Sequence, residues 1–313
     1  AMLLIPFLRG SKRLSRVLAG VFILLIFAIM PLSLVHRETA DNRPAPPSNL
    51  LKPTGYKVVL IGIDGMAWWF ADQLLAEGKM PNLDDLIKKG ARANHPSLRP
   101  TQSPHLWTTI ATGKSHNHHQ IVDFTSYRIP FTNMQTVSFI TPMNIGLLSA
   151  YQIIFDGLFH IKERLVDGSF RKEKALWNIL SEQGVKSGII NWMMSWPVEN
   201  INGLVITDNV IHYKKPSEGN KNQSTAGLTS PPGLLREIEP LLVSSEEISN
   251  ETIRRYADIS DDEIAQTRSR RHKSRPKKLG ILLTVREIEG LDRICPWIMK
   301  EHPEFLFWAV YAR

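Results

Sequence analysis

The chain has 313 residues, 43% of them hydrophobic and 22% charged, a balance that suits one large core or two modest ones and excludes a largely disordered protein. Its formal charge of +8 is concentrated in two runs, 9–16 and 268–278, rather than spread over a folded face, so a broad nucleic-acid surface is not indicated. The single cysteine, Cys295, excludes an intramolecular disulfide and a cysteine-rich zinc cage; any metal must be held by Asp, His and hydroxyl oxygens.

Residues 17–35 read VLAGVFILLIFAIMPLSLV, without a charge. At ~1.5 Å per helical residue this run spans roughly the ~30 Å hydrocarbon layer, and a transmembrane helix is predicted. Arg9, Lys12, Arg13 and Arg16 precede it and little positive charge immediately follows. The positive-inside rule then leaves residues 1–16 in the cytoplasm and the rest outside, periplasmic in a bacterium, as a single-pass signal anchor. A cleaved signal peptide is the rival, against which stand the length of the apolar run and the lack of an A-x-A-like site. Residues 36–55, with Pro44, Pro46, Pro47 and Pro53, read as an extended linker between the lipid bilayer and a folded part at 56–313.

That part opens with KVVLIGI at 57–63, a β-branched apolar run expected as a buried parallel strand, closed by Asp64-Gly65. Helical patterns follow at 68–77 and 83–89. The same grammar returns with a helix at 173–183 stopped by Gly184, and with strands at 185–191, 204–207 and 305–311. Alternating strands and helices predict an α/β fold, a mostly parallel sheet flanked by helices. Residues 127–168 and about 213–303 break the rhythm and read as insertions or a cap.

Ligands of such sheets sit beyond the carboxyl ends of the strands. Asp64 lies there, where a carboxylate can hold a cation or simply shape a turn. The second element is residues 100–113, PTQSPHLWTTIATG. Ser103 before Pro104 has the grammar of an N-cap followed by a helix that ends near Gly113. A hydroxyl at a helix start also sits where backbone N–H groups and the helix dipole favour phosphate or an alkoxide. Lys114, just past the helix, is a substrate-binding candidate or an ordinary helix-end lysine.

Together these elements resemble a known family. Ile63-Asp64-Gly65-Met66, Met80-Pro-Asn-Leu-Asp-Asp-Leu, Gly90-Ala-Arg-Ala, the Ser103-Pro-x-x-Trp-Thr-Thr-Ile-Ala-Thr-Gly-Lys run and His119-Gln-Ile-Val-Asp-Phe124 look like the type I phosphodiesterase/nucleotide pyrophosphatase branch of the alkaline phosphatase superfamily. Arg171-Lys-Glu-Lys-Ala-Leu-Trp-Asn-Ile-Leu, Asn191-Trp-Met-Met-Ser-Trp-Pro197 and Asn202-Gly203 are also similar to members of that branch. The resemblance implies an alkaline-phosphatase-like core and hydrolysis or transfer of phosphoesters. It implies two divalent ions, zinc by the family's habit, with Asp64 as a ligand of one. Ser103 would be the transiently phosphorylated nucleophile and a metal contact, with Thr101 the alternative if the loop aligns differently.

Departures are equally specific. The family completes its metal pair with later Asp and His residues, first an Asp followed four residues on by His just beyond a strand resembling 305–311, and this sequence ends at Arg313. The chain is therefore expected to carry only the N-terminal part of the fold and an incomplete site. A non-catalytic, membrane-tethered binding protein is the alternative. Asp156 with His160, and Asp208 with His212, have the right spacing elsewhere. His116, His118 and His119 form a histidine cluster expected in a solvated loop. Phe124 stands where nucleotide pyrophosphatases carry an asparagine, and Gln120 replaces a usual glycine, which leaves the substrate open. The Cys/Ser-x-Pro-x-Arg pattern of sulfatases is absent around Ser103. The run 268–278 has no interleaved aromatics for stacking on bases, so no nucleic acid is expected.

Overall fold

The computed structural model describes Gly20 and residues 54–99, 101–128, 135–137, 163–213, 224–268 and 279–312. All of the predicted membrane segment except Gly20, nearly all of the linker, the Asp156 and His160 pair and the basic run beyond Arg268 lie outside these residues. Among the described residues no helix is long and apolar enough to cross a membrane. Apart from Gly20, all of them belong to the unit Ser48–Arg313.

In chain order this unit runs β1 (Val58–Ile63), α1 (Trp68–Ala76), α2 (Pro81–Lys89), α3 (Ser103–Thr112), α4 (His116–His119), β2 (Thr125–Arg128), β3 (Gln135–Val137) and β4 (Glu163–Leu165). It continues through α5 (Leu176–Glu182), β5 (Ser187–Ile190), β6 (Gly203–Ile206), β7 (Thr229–Ser230), α6 (Leu234–Ile238), α7 (Asn250–Tyr256), α8 (Asp261–Arg268), α9 (Leu279–Glu301) and β8 (Phe307–Ala312). The main sheet has the order β1-β8-β5-β6-β7. It is parallel except for β7, which pairs antiparallel with β6. This is the α/β architecture expected. β2, β3 and β4 make a small separate antiparallel sheet within the stretch that broke the strand–helix rhythm.

β8 is an interior strand of the sheet, between β1 and β5. Phe307 to Tyr311 are all buried, as befits a parallel strand covered on both faces. Trp308 and Val310 point into one core layer with Ile190, Leu204, Ile206 and, from α9, Ile294 and Ile298. Phe307, Ala309 and Tyr311 point into the other, with Ile189, Val205, Trp107 of α3 and Trp177 of α5. Full burial of each large apolar side chain contributes roughly 1.5–3 kcal/mol, so these two layers dominate the stability of the fold.

β1 departs from its expected burial. It is parallel to β8 as predicted, yet it forms the edge of the sheet, and Val59, Ile61 and Ile63 are 49%, 61% and 47% exposed. On that face α9 covers β8, β5 and β6 but leaves β1 bare. On the other face Leu60 and Gly62 of β1 meet the layer built on Trp107.

Residues 224–268 and 279–301 divide between two cores. Leu234, Leu235, Ile238, Ile294 and Ile298 pack against the sheet. Val243, Ile248, Ile253, Ile259, Ile264, Leu282 and Val285 form a smaller cluster joining α7, α8 and the first half of α9. The second half of α9 is thus the layer that delivers the chain to β8, although the sequence placed it with the insertion.

Candidate active site

The two elements singled out in the sequence meet at the carboxyl end of β1. Asp64 follows that strand directly, its amide still paired to Ala312 of β8 (2.8 Å). The Ser103 hydroxyl, on the first residue of α3, donates to Asp64 Oδ2 at 3.0 Å. Ser103 is not the N-cap: Gln102 holds that place, and the serine side chain is turned away from the helix end toward the carboxylate. α3 ends as predicted at Gly113, whose φ of 64° suits a residue without Cβ.

Three further donors complete the carboxylate. Tyr311 OH reaches Oδ2 at 3.0 Å, Trp107 Nε1 reaches Oδ1 at 3.2 Å, and the Gly65 amide reaches Oδ1 at 3.1 Å. The backbone at Gly62 makes the tryptophan contact possible. A Cβ there would lie 2.4 Å from the Trp107 ring, so only glycine lets the indole cross β1 to its strand end.

Neither Tyr311 nor Trp107 was assigned a role from the sequence. The available sign for Tyr311 was a hydroxyl-bearing residue near the carboxyl end of an otherwise apolar parallel strand, where such sheets place their sites.

The other candidates separate from this cluster. Thr101 is exposed in the loop ahead of α3, and the hydroxyl that reaches Asp64 is Ser103's. Lys114 lies past the far end of α3, and ten residues at 1.5 Å each put about 15 Å between it and Ser103, beyond its reach to a phosphate there. Asp208 follows β6, but its carboxylate accepts from the amides of Met194 (2.8 Å) and Trp196 (3.0 Å) and from Ser195 Oγ (3.3 Å). Burial pushes its pKa up against those bonds. It organises the loop after β5, while His212 is exposed.

His119 overturns the solvated-loop expectation, being fully buried. Its Nδ1 accepts from the Ile121 amide (3.1 Å), so Nε2 carries the hydrogen and faces Thr109 Oγ1 (3.0 Å). Burial first, then the neighbouring His105, His116, Arg171 and His118, lower its pKa to about 4. His105 is also buried and lies edge-on to His116, with ring centroids 4.9 Å apart. These histidines brace α3 against α4. Gln120 takes φ 63°, which explains why a glycine would suit that position. Phe124 is 46% exposed.

Asp64 and Ser103 set a carboxylate and a hydroxyl side by side, which fits one edge of a cation site. Among the described residues no group of three or more His, Cys, Asp or Glu is placed to hold a metal ion. Since zinc takes about four ligands, and three protein groups even in open catalytic sites, the described residues do not fit the expected pair of zinc ions.

A family model described as type I phosphodiesterase / nucleotide pyrophosphatase matches residues 58–285. No curated protein and no solved structure gives a match. The matched stretch holds β1 with Asp64, α3 with Ser103 and Trp107, and the sheet through β7, and on that basis the chain belongs to the type I phosphodiesterase/nucleotide pyrophosphatase family.

Proposed function

We propose that this chain carries the nucleophile of a phosphoester hydrolase, with Ser103 as the attacking group and Asp64 as the carboxylate that orients it. The observation that carries this reading is the 3.0 Å hydrogen bond from Ser103 Oγ to Asp64 Oδ2, across 39 residues of sequence. A serine hydroxyl is a weak nucleophile unless a neighbour accepts its proton. As Ser103 Oγ attacks phosphorus, its proton passes to Asp64 Oδ2 and the phosphorus–oxygen bond to the leaving group breaks. With a diester the departing group leaves as an anion and Ser103 keeps the phosphoryl group with its second ester; water then breaks the Oγ–phosphorus bond, releasing the monoester and a proton to solvent, while the proton held on Asp64 returns to Ser103 Oγ. The N–H groups and dipole at the start of the ten-residue α3 favour the negative phosphoryl group.

A divalent cation resting on Asp64 and Ser103 would add Lewis-acid stabilisation of the developing charge. The charge asymmetry around residues 17–35 supports a membrane anchor with this domain on the extracytoplasmic side.

The test is hydrolysis of bis(4-nitrophenyl) phosphate in zinc-containing buffer, with mass spectrometry of the trapped phosphoenzyme. Ser103→Ala should lose both turnover and the phosphorylated peptide containing residue 103. Turnover retained in that variant rejects the assignment. Zinc-loaded wild type that binds the phosphodiester without cleaving it favours the tethered, non-catalytic alternative.

A further inference from the structure

Tyr311 lies outside the stretch 58–285 that the family model matches, yet its hydroxyl holds the same carboxylate oxygen as the Ser103 hydroxyl, at the same 3.0 Å. Its ring is 1% exposed and packs edge-on against Trp107, with centroids 4.8 Å apart and planes at 80°. The backbone is fixed as well. Tyr311 pairs in register with Gly62, and its carbonyl accepts from Asn191 Nδ2 at 3.0 Å. The same Nδ2 reaches the buried Glu287 of α9 at 2.8 Å.

Asn191, Glu287 and Trp107 therefore lock a phenol whose oxygen meets Asp64. A second donor on Oδ2 leaves the carboxylate less freedom to rotate and fixes the direction from which the serine hydroxyl can be received.

We propose that Tyr311 is a positioning residue for the Asp64–Ser103 pair, acting on the nucleophile through the carboxylate oxygen they share. The inference rests on the reading of Ser103 as nucleophile. Outer hydrogen-bond partners of metal-ligating carboxylates typically matter by roughly one to two orders of magnitude in affinity or activity, and the same scale is expected for the partner of Asp64.

Tyr311→Phe removes one oxygen and keeps the ring. It is expected to lower kcat on bis(4-nitrophenyl) phosphate roughly 10- to 100-fold with KM unchanged, a split that mere loosening of the core does not produce. A second measurement needs no turnover. The thermal midpoints of wild type, Tyr311→Phe, Asp64→Ala and the double variant, all metal-free, should be non-additive, the phenylalanine costing less once the carboxylate is gone. Additive midpoints overturn the proposal. So does turnover that is lost in Ser103→Ala but kept in Tyr311→Phe, which defeats the positioning role alone. Turnover kept in Ser103→Ala removes the nucleophile and this inference with it.

Discussion

Asp64 and Asp208 follow parallel strands of one sheet, and each is saturated with hydrogen bonds, yet their donors differ. Asp208 is bound by backbone amides of one loop, Met194 and Trp196, together with Ser195. Asp64 is bound mainly by three side chains from two separate elements, Ser103 and Trp107 of α3 and Tyr311 of β8, two of them through hydroxyls. Amide donors fix a loop and have no further chemistry to offer. Hydroxyl donors can give up a proton. Asp208 also accepts from one hydroxyl, that of Ser195, so the contrast lies in the two backbone amides that tie Asp208 to a single loop.

The largest effect should come from breaking the structural member. Asp208→Ala strands two backbone donors at roughly 1–3 kcal/mol each, to be read from urea unfolding, whereas Asp64→Asn should cost less than half as much stability while abolishing phosphoester turnover. Equal losses of stability in the two variants would erase the distinction.

Acid should sharpen it. With His119 held neutral by burial, the unfolded chain takes up a proton below about pH 6.5 that the folded chain refuses until about pH 4. Stability is then lost as pH falls through that window, by of order 3 kcal/mol at its lower end, and His119→Gln should flatten the profile. Asp208 works in the opposite sense. Its raised pKa lets the fold accept a proton there more readily than the unfolded chain does, so acid strains the α3 side first.

Gly62→Ala comes next. Its Cβ would collide with Trp107 and draw the indole from Asp64, at about 1–3 kcal/mol, with turnover falling further than stability alone explains. The smallest effect belongs to His212→Ala, within about 0.5 kcal/mol in the same unfolding assay, since His212 is exposed and Asp208 is engaged elsewhere.

Asp64 and Ser103 were legible because each sits at a local signal, a strand closed by Asp-Gly and a helix opened by Ser-Pro. Even so, the reason for Ser103 was misread: the helix start needed no serine, because Gln102 occupies the cap position. Tyr311 and Trp107 stayed hidden, since their contacts with Asp64 span 247 and 43 residues and leave no periodicity or spacing. The burial of β1 was misjudged for a related reason. VVLIGI and FWAVYA are both continuous apolar runs, and such a run specifies a strand without saying whether it lies at the rim or the middle of the sheet. The Asp208 and His212 spacing, set aside in the sequence as a chance match, is a short-range pattern that a 3₁₀ turn satisfies by itself.

The place of β8 also fixes when the site can exist. Among the described residues β1 joins the sheet through β8 alone. As the chain leaves the ribosome, the strand closed by Asp64 therefore waits for β8, whose Tyr311 lies 247 residues further on, before it can dock, and the closing of that long loop is slow. A protease that clipped the chain after α9 would cut β1 adrift and take the Tyr311 hydroxyl from Asp64, while α9 kept its packing on β5 and β6.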